Sequence, residues 1–310
     1  MRNLVTGGCG FIGSNLIDRL INDGEFVVCL DDLTSGTKEN IYKFLGNKNF
    51  KFMYHDITKP VNLNLEIDQI WHLACPASPV HYQIDPIRTS KINFEGTLNI
   101  LEFANERKIK LLLTSSSEVY GNPSIHPQDE KYLGSVNPTG IRSCYDEGKR
   151  IAESLCFDFN RIYGLDIKVA RIFNTYGPQM SFNDGRVISN FICQSLQKKP
   201  LTIFGKGNQS RSFCYVKDLV DGLIKLMNSN QKGPINLGNP EEITIMSLAI
   251  LISGKVGNEF KYEEMPLPQD DPIKRRPNIQ KAKKLINWEP NYSLSQGLDL
   301  TIEYFRKIFE

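Results

Sequence analysis

The sequence predicts an α/β protein: a Rossmann-type, doubly wound parallel sheet with a smaller C-terminal substrate-binding lobe. Three observations predict it. Apolar strand patterns alternate regularly with amphipathic helical patterns through the first half of the chain, which implies parallel strands joined by helical crossovers. The first strand runs into a glycine turn and then a helix, Gly7-Gly8-Cys9-Gly10-Phe11-Ile12-Gly13. The second strand ends on an acid, Asp31, eighteen residues past Gly13.

Residues 2–6 form the first strand, and Leu16, Ile17, Leu20 and Ile21 share one side of the helix that Gly24 stops. Gly7, Gly10 and Gly13 follow a G-x-x-G-x-x-G pattern. Small residues permit the tight turn and let the backbone approach a pyrophosphate, whose charge the helix N-terminus attracts. The strand Phe26 to Leu30 delivers Asp31 where its carboxylate can accept from both adenine-ribose hydroxyls. The same carboxylate repels a 2′-phosphate, so NAD is expected rather than NADP. Three glycines serving only as turn formers would leave Asp31 in that register unexplained.

Strands at Phe50–His55 and Gln69–Leu73 follow, then a long helix from about Pro86 to Arg107 and a buried strand, Ile109–Leu113. Asp56 and Ile57 fall at a strand end, where Asp56 either helps hold an adenine edge or serves as a turn or cap residue. Residues 75–86 are too rich in proline for regular helix or central strand, and Tyr82 in this stiff loop either meets substrate or packs. A helix over 143–162 and a strand over 167–172 come next. Beyond residue 180 the alternation loosens, with helices at about 186–197, 217–228, 244–255 and 295–308. We expect residues 1–179 to form the NAD-binding domain and residues 180–310 mainly the substrate lobe, interleaved with the last strands of the sheet.

The chemistry concentrates in Ser115-Ser116-Ser117-Glu118-Val119-Tyr120-Gly121 and Tyr145-Asp146-Glu147-Gly148-Lys149. A Tyr and a Lys four apart on a helix project from the same face. A nearby ammonium favours the phenolate, lowering a tyrosine pKa from about 10 towards working pH, where the phenol can take a proton from a substrate hydroxyl. Ser116, Ser117 and Glu118 stand at a strand's carboxyl end, where open α/β sheets place their ligands. Arg211 and the pair Arg275-Arg276, which follows Asp270-Asp271, either bind a diphosphate or carboxylate or are simply solvated.

The 37 basic and 35 acidic residues give a formal charge of +2 spread along the chain, which argues against nucleic acid or an anionic membrane as the main partner. No apolar run approaches the roughly 18 residues of a membrane span, and Met1 leads straight into a strand pattern. We expect a cytoplasmic protein. Seven cysteines without a C-x-x-C pair indicate reduced, mostly buried thiols, and four histidines without metal-ligand spacing indicate no metal site.

Taken with Arg171-Ile172-Phe173-Asn174-Thr175-Tyr176-Gly177-Pro178, these residues resemble the extended short-chain dehydrogenase/reductase family that modifies nucleotide sugars. Within it the chain most closely resembles the UDP-glucuronate decarboxylases, or UDP-xylose synthases. The segments that carry the likeness are Pro76 to Tyr82, Ser116 to Gly121, Cys144 to Arg150, Asn183 to Phe191 and Asn236 to Glu242, within a match from Met1 to about Phe309. The resemblance implies transient oxidation of UDP-glucuronate at C4′ by bound NAD, with Tyr145 taking the hydroxyl proton, Lys149 supporting the phenolate and the nicotinamide ribose, and both residues counted among the cofactor contacts. The resulting β-keto acid loses carbon dioxide through an enolate without a metal. Protonation at C5′ and return of the hydride give UDP-xylose and regenerate the cofactor.

By the same resemblance, Ser116 bonds near the C4′ oxygen, and Glu118 is the acid/base near C5′ or acts on the carboxylate. Arg275, Tyr82 and Ser117 lie near that carboxylate, which Glu118 would repel as a like charge. Asn174 and Arg211 hold the diphosphate, Val187 joins the substrate contacts, and Leu201, Ile203 and Phe204 border the uracil. Arg186 goes to the pyrophosphate region. Cofactor contacts extend to Phe11 and Ile12 in the turn, to Asp32, Thr34, Ser35 and Gly36 after the second strand, and to Leu73, Cys75, Lys91 and Thr175. Two helices from each subunit pack into a four-helix bundle in the family's dimer, and here the candidates are 86–107 and 143–162. Membrane-anchored relatives carry an N-terminal extension that this sequence does not show, which again suggests a soluble form. Ser116 stands where Thr is usual, and Cys9 and Cys75 where Ser or Ala is common. The alternatives are a 4,6-dehydratase, which normally carries Asp-Glu in place of Ser117-Glu118, and a 4-epimerase, which usually lacks the carboxylate. A non-catalytic NAD-binding regulatory module would have no use for Tyr145, Lys149 and Glu118 together.

Overall fold

The computed structural model describes residues 1–267 and 274–309. Asp270 and Asp271 lie outside the described residues. The chain begins with β1 (Arg2–Thr6), α1 (Phe11–Asn22), β2 (Phe26–Asp31), β3 (Phe50–Tyr54) and β4 (Gln69–His72). The helices α2 (Pro79–Tyr82), α3 (Pro86–Lys91) and α4 (Thr97–Arg107) lead to β5 (Lys110–Ser116), α5 (Ser143–Tyr163) and β6 (Ile167–Ile172). The second half holds β7 (Thr175–Tyr176), α6 (Val187–Leu196), β8 (Leu201–Phe204), β9 (Ser210–Ser212), β10 (Cys214–Tyr215) and α7 (Val216–Met227). It closes with β11 (Ile235–Leu237), β12 (Glu242–Thr244), α8 (Ile245–Val256), β13 (Tyr262–Met265), β14 (Lys274–Arg275), α9 (Gln280–Ile286) and α10 (Leu294–Phe309).

Seven parallel strands form the central sheet in the order β11-β6-β5-β4-β1-β2-β3. The order reverses between β1 and β4, which opens a crevice at their carboxyl ends. Register sharpens it: Thr6 pairs with Leu30 on one side and His72 on the other, so Gly7, Asp31 and Leu73 leave the sheet at one level. Alternation along the strands feeds two cores. Val5, Cys29, Trp71 and Leu112 face α1 and α7, while Leu4, Leu30, Ile70 and Leu113 face α4 and α5.

The expected helix over 86–107 is interrupted by a π-helical turn at Ile92–Gly96, where Gly96 leaves room for the Ile57 side chain. The proline loop contains one helical turn, α2, because Pro79 occupies its first position, where no amide donor is needed. β5 runs on to Ser116, so Ser117 and Glu118 begin the 3₁₀ turn that follows it. β11 joins the central sheet from the C-terminal half. A separate sheet, β12-β9-β14, pairs Arg211 with Arg275, placing two sequence-distant arginines side by side. Among the described residues no helix is long and apolar enough to cross a membrane.

Candidate active site

A cleft of about 630 Å³ runs along the carboxyl ends of the central strands and reaches the β9–β14 sheet. At one end the glycine turn forms its floor. Gly7 has φ +71°, in the left-handed region, and a Cβ on Gly13 would strike the Gly7 carbonyl and lie 2.7 Å from Gly8 Cα. Gly10 precedes α1 without a side-chain cap, leaving the helix's first amides directed at the turn. A cradle with no room for side chains and an uncapped helix N-terminus fits a pyrophosphate.

Asp31 pins this cradle to the sheet: Oδ2 accepts from the Cys9 amide at 2.9 Å and Oδ1 from the Leu33 amide at 2.8 Å. Burial pushes its carboxyl up, and these two bonds oppose the shift. Phe11, Ile12, Asp32, Thr34, Ser35, Gly36, Ile57, Leu73, Cys75 and Thr175, the expected cofactor contacts around this end, line the cleft. Asp56 and Lys91 do not. The Asp56 carboxylate accepts from Thr58 at 2.9 and 3.0 Å and from Arg88 at 3.3 Å, so it shapes a turn, and Lys91 is exposed on α3. Arg88 also donates to Asp32 at 2.7 Å, tying α3 to the end of β2.

At the other end, α5 presents Tyr145 and Lys149 on the face towards β5. The lysine Nζ donates to the Thr114 carbonyl oxygen at 3.1 Å and lies 5.8 Å from the Tyr145 ring centre. The Tyr145 ring stacks on Tyr82 at 5.0 Å and 9°. Burial pushes the Tyr145 phenol up, reinforced by Cys75, while its hydrogen bond with Ser116 works the other way. The net shift therefore runs against the acidification expected from the lysine, because burial is its largest cause. Tyr82 is buried, with its hydroxyl unpartnered among the described residues.

Glu118 is held from both sides. Oε1 accepts from Arg275 Nη1 and Oε2 from Arg142 Nη2, each at 2.6 Å. Burial would push this carboxyl up, but the charges and hydrogen bonds of Arg275 and Arg142 outweigh it and hold it down at about 2. Two guanidiniums against one carboxylate leave an excess of positive charge while Asp146, beside Arg142, keeps its proton. The like-charge repulsion expected between Glu118 and a substrate carboxylate is therefore neutralised. Arg275 also donates to Ser117 Oγ and to the Gly121 carbonyl oxygen, both at 3.1 Å.

Asn174, Val187, Phe204 and Arg211 line the far wall with Arg275. Arg186 lies there too, paired with Asp184 at 2.5 Å and 5.7 Å from the Phe11 ring centre, above the glycine turn. Leu201 and Ile203 do not reach the cleft. They are buried in the core, because β8 alternates and turns Thr202 and Phe204 to the cleft instead. Arg276 points away, to Glu242 at 3.4 Å. Sequence reasoning missed Arg142, Asp184 and Thr202; only Thr202 carried a signal, the period of two along its strand.

A dinucleotide cradle beside a buried tyrosine and lysine is an arrangement able to oxidise and reduce a carbinol carbon. The chain belongs to the NAD dependent epimerase/dehydratase family, whose model matches residues 3–238. UDP-glucuronic acid decarboxylase 4 of Arabidopsis thaliana is 52% identical over 307 residues, 99% of this chain and 69% of that protein. UDP-glucuronic acid decarboxylase 1 of Danio rerio is 52% identical over 309 residues, 100% of this chain and 73% of that one. Among solved structures, UDP-glucose 4-epimerase of Thermotoga maritima with UDP-glucose matches with a TM-score of 0.91 at 31% identity, covering 100% of both chains.

Proposed function

We propose that this protein decarboxylates UDP-glucuronate to UDP-xylose with NAD as a recycled cofactor. One observation carries the reading: the Tyr145–Lys149 pair shares its cleft with the positive Arg142–Glu118–Arg275 cluster, so a carbinol can be oxidised while the acid group beside it is held. The extent and level of identity to named UDP-glucuronic acid decarboxylases support it. When bound, NAD supplies the hydride acceptor for C4′ and the reductant that restores it. Gly7, Gly10 and Gly13 would hold its pyrophosphate and Asp31 its adenosine ribose.

Tyr145 takes the C4′ hydroxyl proton, Ser116 bonds the same oxygen, and Lys149 steadies the phenolate. A ketone at C4′ makes the carboxylate a β-keto acid. Its bond to C5′ breaks with the electron pair passing to the C4′ oxygen, and carbon dioxide leaves. Glu118 handles the proton that returns to C5′, while Arg275, Ser117 and Tyr82 hold the acid end of the sugar. Arg211 and Asn174 take the diphosphate, Arg186 the neighbouring pyrophosphate region, and Phe204 with Thr202 borders the base.

We assign residues 1–179 to the NAD-binding domain, whose strand ends also carry the reacting groups, and residues 180–310 mainly to the substrate lobe, interleaved with the last strands of the sheet. Ile87, Phe94 and Ile151, exposed on the helical segments over 86–107 and 143–163, support a homodimer built there. Seven free cysteines support a cytoplasmic location. Purified protein given UDP-glucuronate should release carbon dioxide and UDP-xylose without net NADH. Accumulated UDP-4-keto-pentose with matching NADH would make it an oxidative variant, and release of no carbon dioxide would overturn the reading.

A further inference from the structure

The charged row behind the cleft holds one group that the reaction does not yet use. Arg275 is fixed by three acceptors, Glu118, Ser117 and the Gly121 carbonyl, and only its Nε is unpartnered among the described residues. Arg142 is not so fixed. Its Nη2 donates to Glu118, while its Nε stands 3.7 Å from Asp146 Oδ2, too far for a hydrogen bond. Arg142 Nε and Asp146 Oδ1 are both buried and unpartnered among the described residues. Two largely buried carboxylates thus face one guanidinium that fully satisfies only one of them. A small rotation of the Arg142 side chain would give Nε its acceptor and draw Nη2 away from Glu118.

We propose that Arg142 is shared between two positions, on Glu118 or on Asp146, and that Asp146 is the positioning residue that decides through Arg142 when Glu118 is released to handle a proton. The inference rests on the proton-handling role given to Glu118 above. The groups facing Asp146 are Glu118 from the turn after β5, Arg275 from β14, Tyr82 from α2, and Arg142, Cys144 and Glu147 at the start of α5. Burial, with the charge of Glu118, pushes the Asp146 carboxyl up to about 7, against the pull of Arg142 and Arg275. While Asp146 is protonated it offers no competing charge, and Arg142 keeps Glu118 locked as a carboxylate. Once Asp146 ionises, Glu118 loses a share of one counter-charge and its proton affinity rises. Turnover therefore increases with pH through about 7.

The test is the pH–rate profile of the NAD-loaded protein with saturating UDP-glucuronate, from about pH 5.5 to about pH 9. The wild type should show a limb near pH 7. Asp146→Asn should lose that limb and run about tenfold slower at the alkaline end while retaining bound NAD, and Asp146→Glu should restore part of it. A limb with the same midpoint in Asp146→Asn, or none in the wild type, overturns the proposal. If Asp146→Asn fails to fold, Arg142→Lys, whose compact ammonium cannot bridge both carboxylates, should flatten the profile, and an unchanged profile there is equally fatal. Normal turnover in Glu118→Gln would remove the underlying reading. A slow Glu118→Gln beside an Asp146→Asn that keeps the limb would remove this inference alone.

Discussion

Replacing Glu118 by glutamine probes the charge cluster at its centre. The carboxylate takes one guanidinium on each oxygen at 2.6 Å, and the side chains are 18% exposed for Glu118, 13% for Arg142 and 2% for Arg275. The amide keeps the shape but has only one acceptor, so one arginine meets an N–H donor and both cations lose their counter-charge. Breaking a buried ion pair from one side costs about 3–5 kcal/mol. The lower end applies, since Arg275 keeps Ser117 and Gly121 and Arg142 can turn to Asp146. About 3 kcal/mol should lower the melting temperature of a chain of this length by roughly 5 °C. Loss of a group that handles a proton in the transition state costs about 10²–10⁴ in rate. Formation of UDP-xylose, followed by chromatography, should fall by at least about 10², with NAD affinity by calorimetry unchanged because the cradle lies at the opposite end of the cleft. Wild-type turnover together with a wild-type melting temperature would refute both the clamp and the role.

Gly13→Ala places a methyl group against the Gly7 carbonyl and 2.7 Å from Gly8 Cα, so NAD binding should be lost while the helical signal persists; calorimetric binding at wild-type strength would show that the turn can yield. Tyr145→Phe removes the phenolic oxygen and should slow oxidation at C4′ by about 10² or more without weakening NAD binding. Reduced nicotinamide appearing at the wild-type rate in a single turnover would discount the phenol. The folded Glu118 carboxyl is held at about 2 against an ordinary 4.5, so its stabilising effect is complete above about pH 4.5 and disappears as pH falls towards 2. Asp146 works in the opposite sense: its folded pKa is raised from 3.8 to about 7, so the folded state keeps a proton that the unfolded chain has released, and stability falls as pH rises across that window. Asp146→Asn should accordingly raise the melting temperature above pH 7 and leave it nearly unchanged near pH 4. A lower melting temperature above pH 7 would contradict this.

The cofactor end was legible in the sequence because its requirements are local. Gly7, Gly10, Gly13 and Asp31 stand at fixed spacings around one strand–turn–helix–strand unit, and register then brings them level. The Tyr145–Lys149 pair was legible for the same reason, being one helical turn apart. The substrate wall was less so. Arg275 meets Glu118 across 157 residues and Arg211 through strand pairing, contacts that only the folded chain specifies. Arg142 sits just before a helix, a position that carries no signal for a partner 24 residues upstream. Leu201 and Ile203 were misplaced by treating a strand as a uniform border when only alternate side chains face the cleft. The direction of the Tyr145 shift was missed because spacing reveals the neighbouring charge but not the depth of burial.

The most direct test of transient oxidation at C4′ follows isotopes through a single conversion. UDP-glucuronate carrying deuterium at C4′ should yield UDP-xylose that retains the label at C4′, since the hydrogen leaves to a bound cofactor and comes back. The same reaction in heavy water should place one solvent deuterium at C5′. Loss of the C4′ label to solvent, or UDP-xylose with no solvent hydrogen at C5′, would contradict the account.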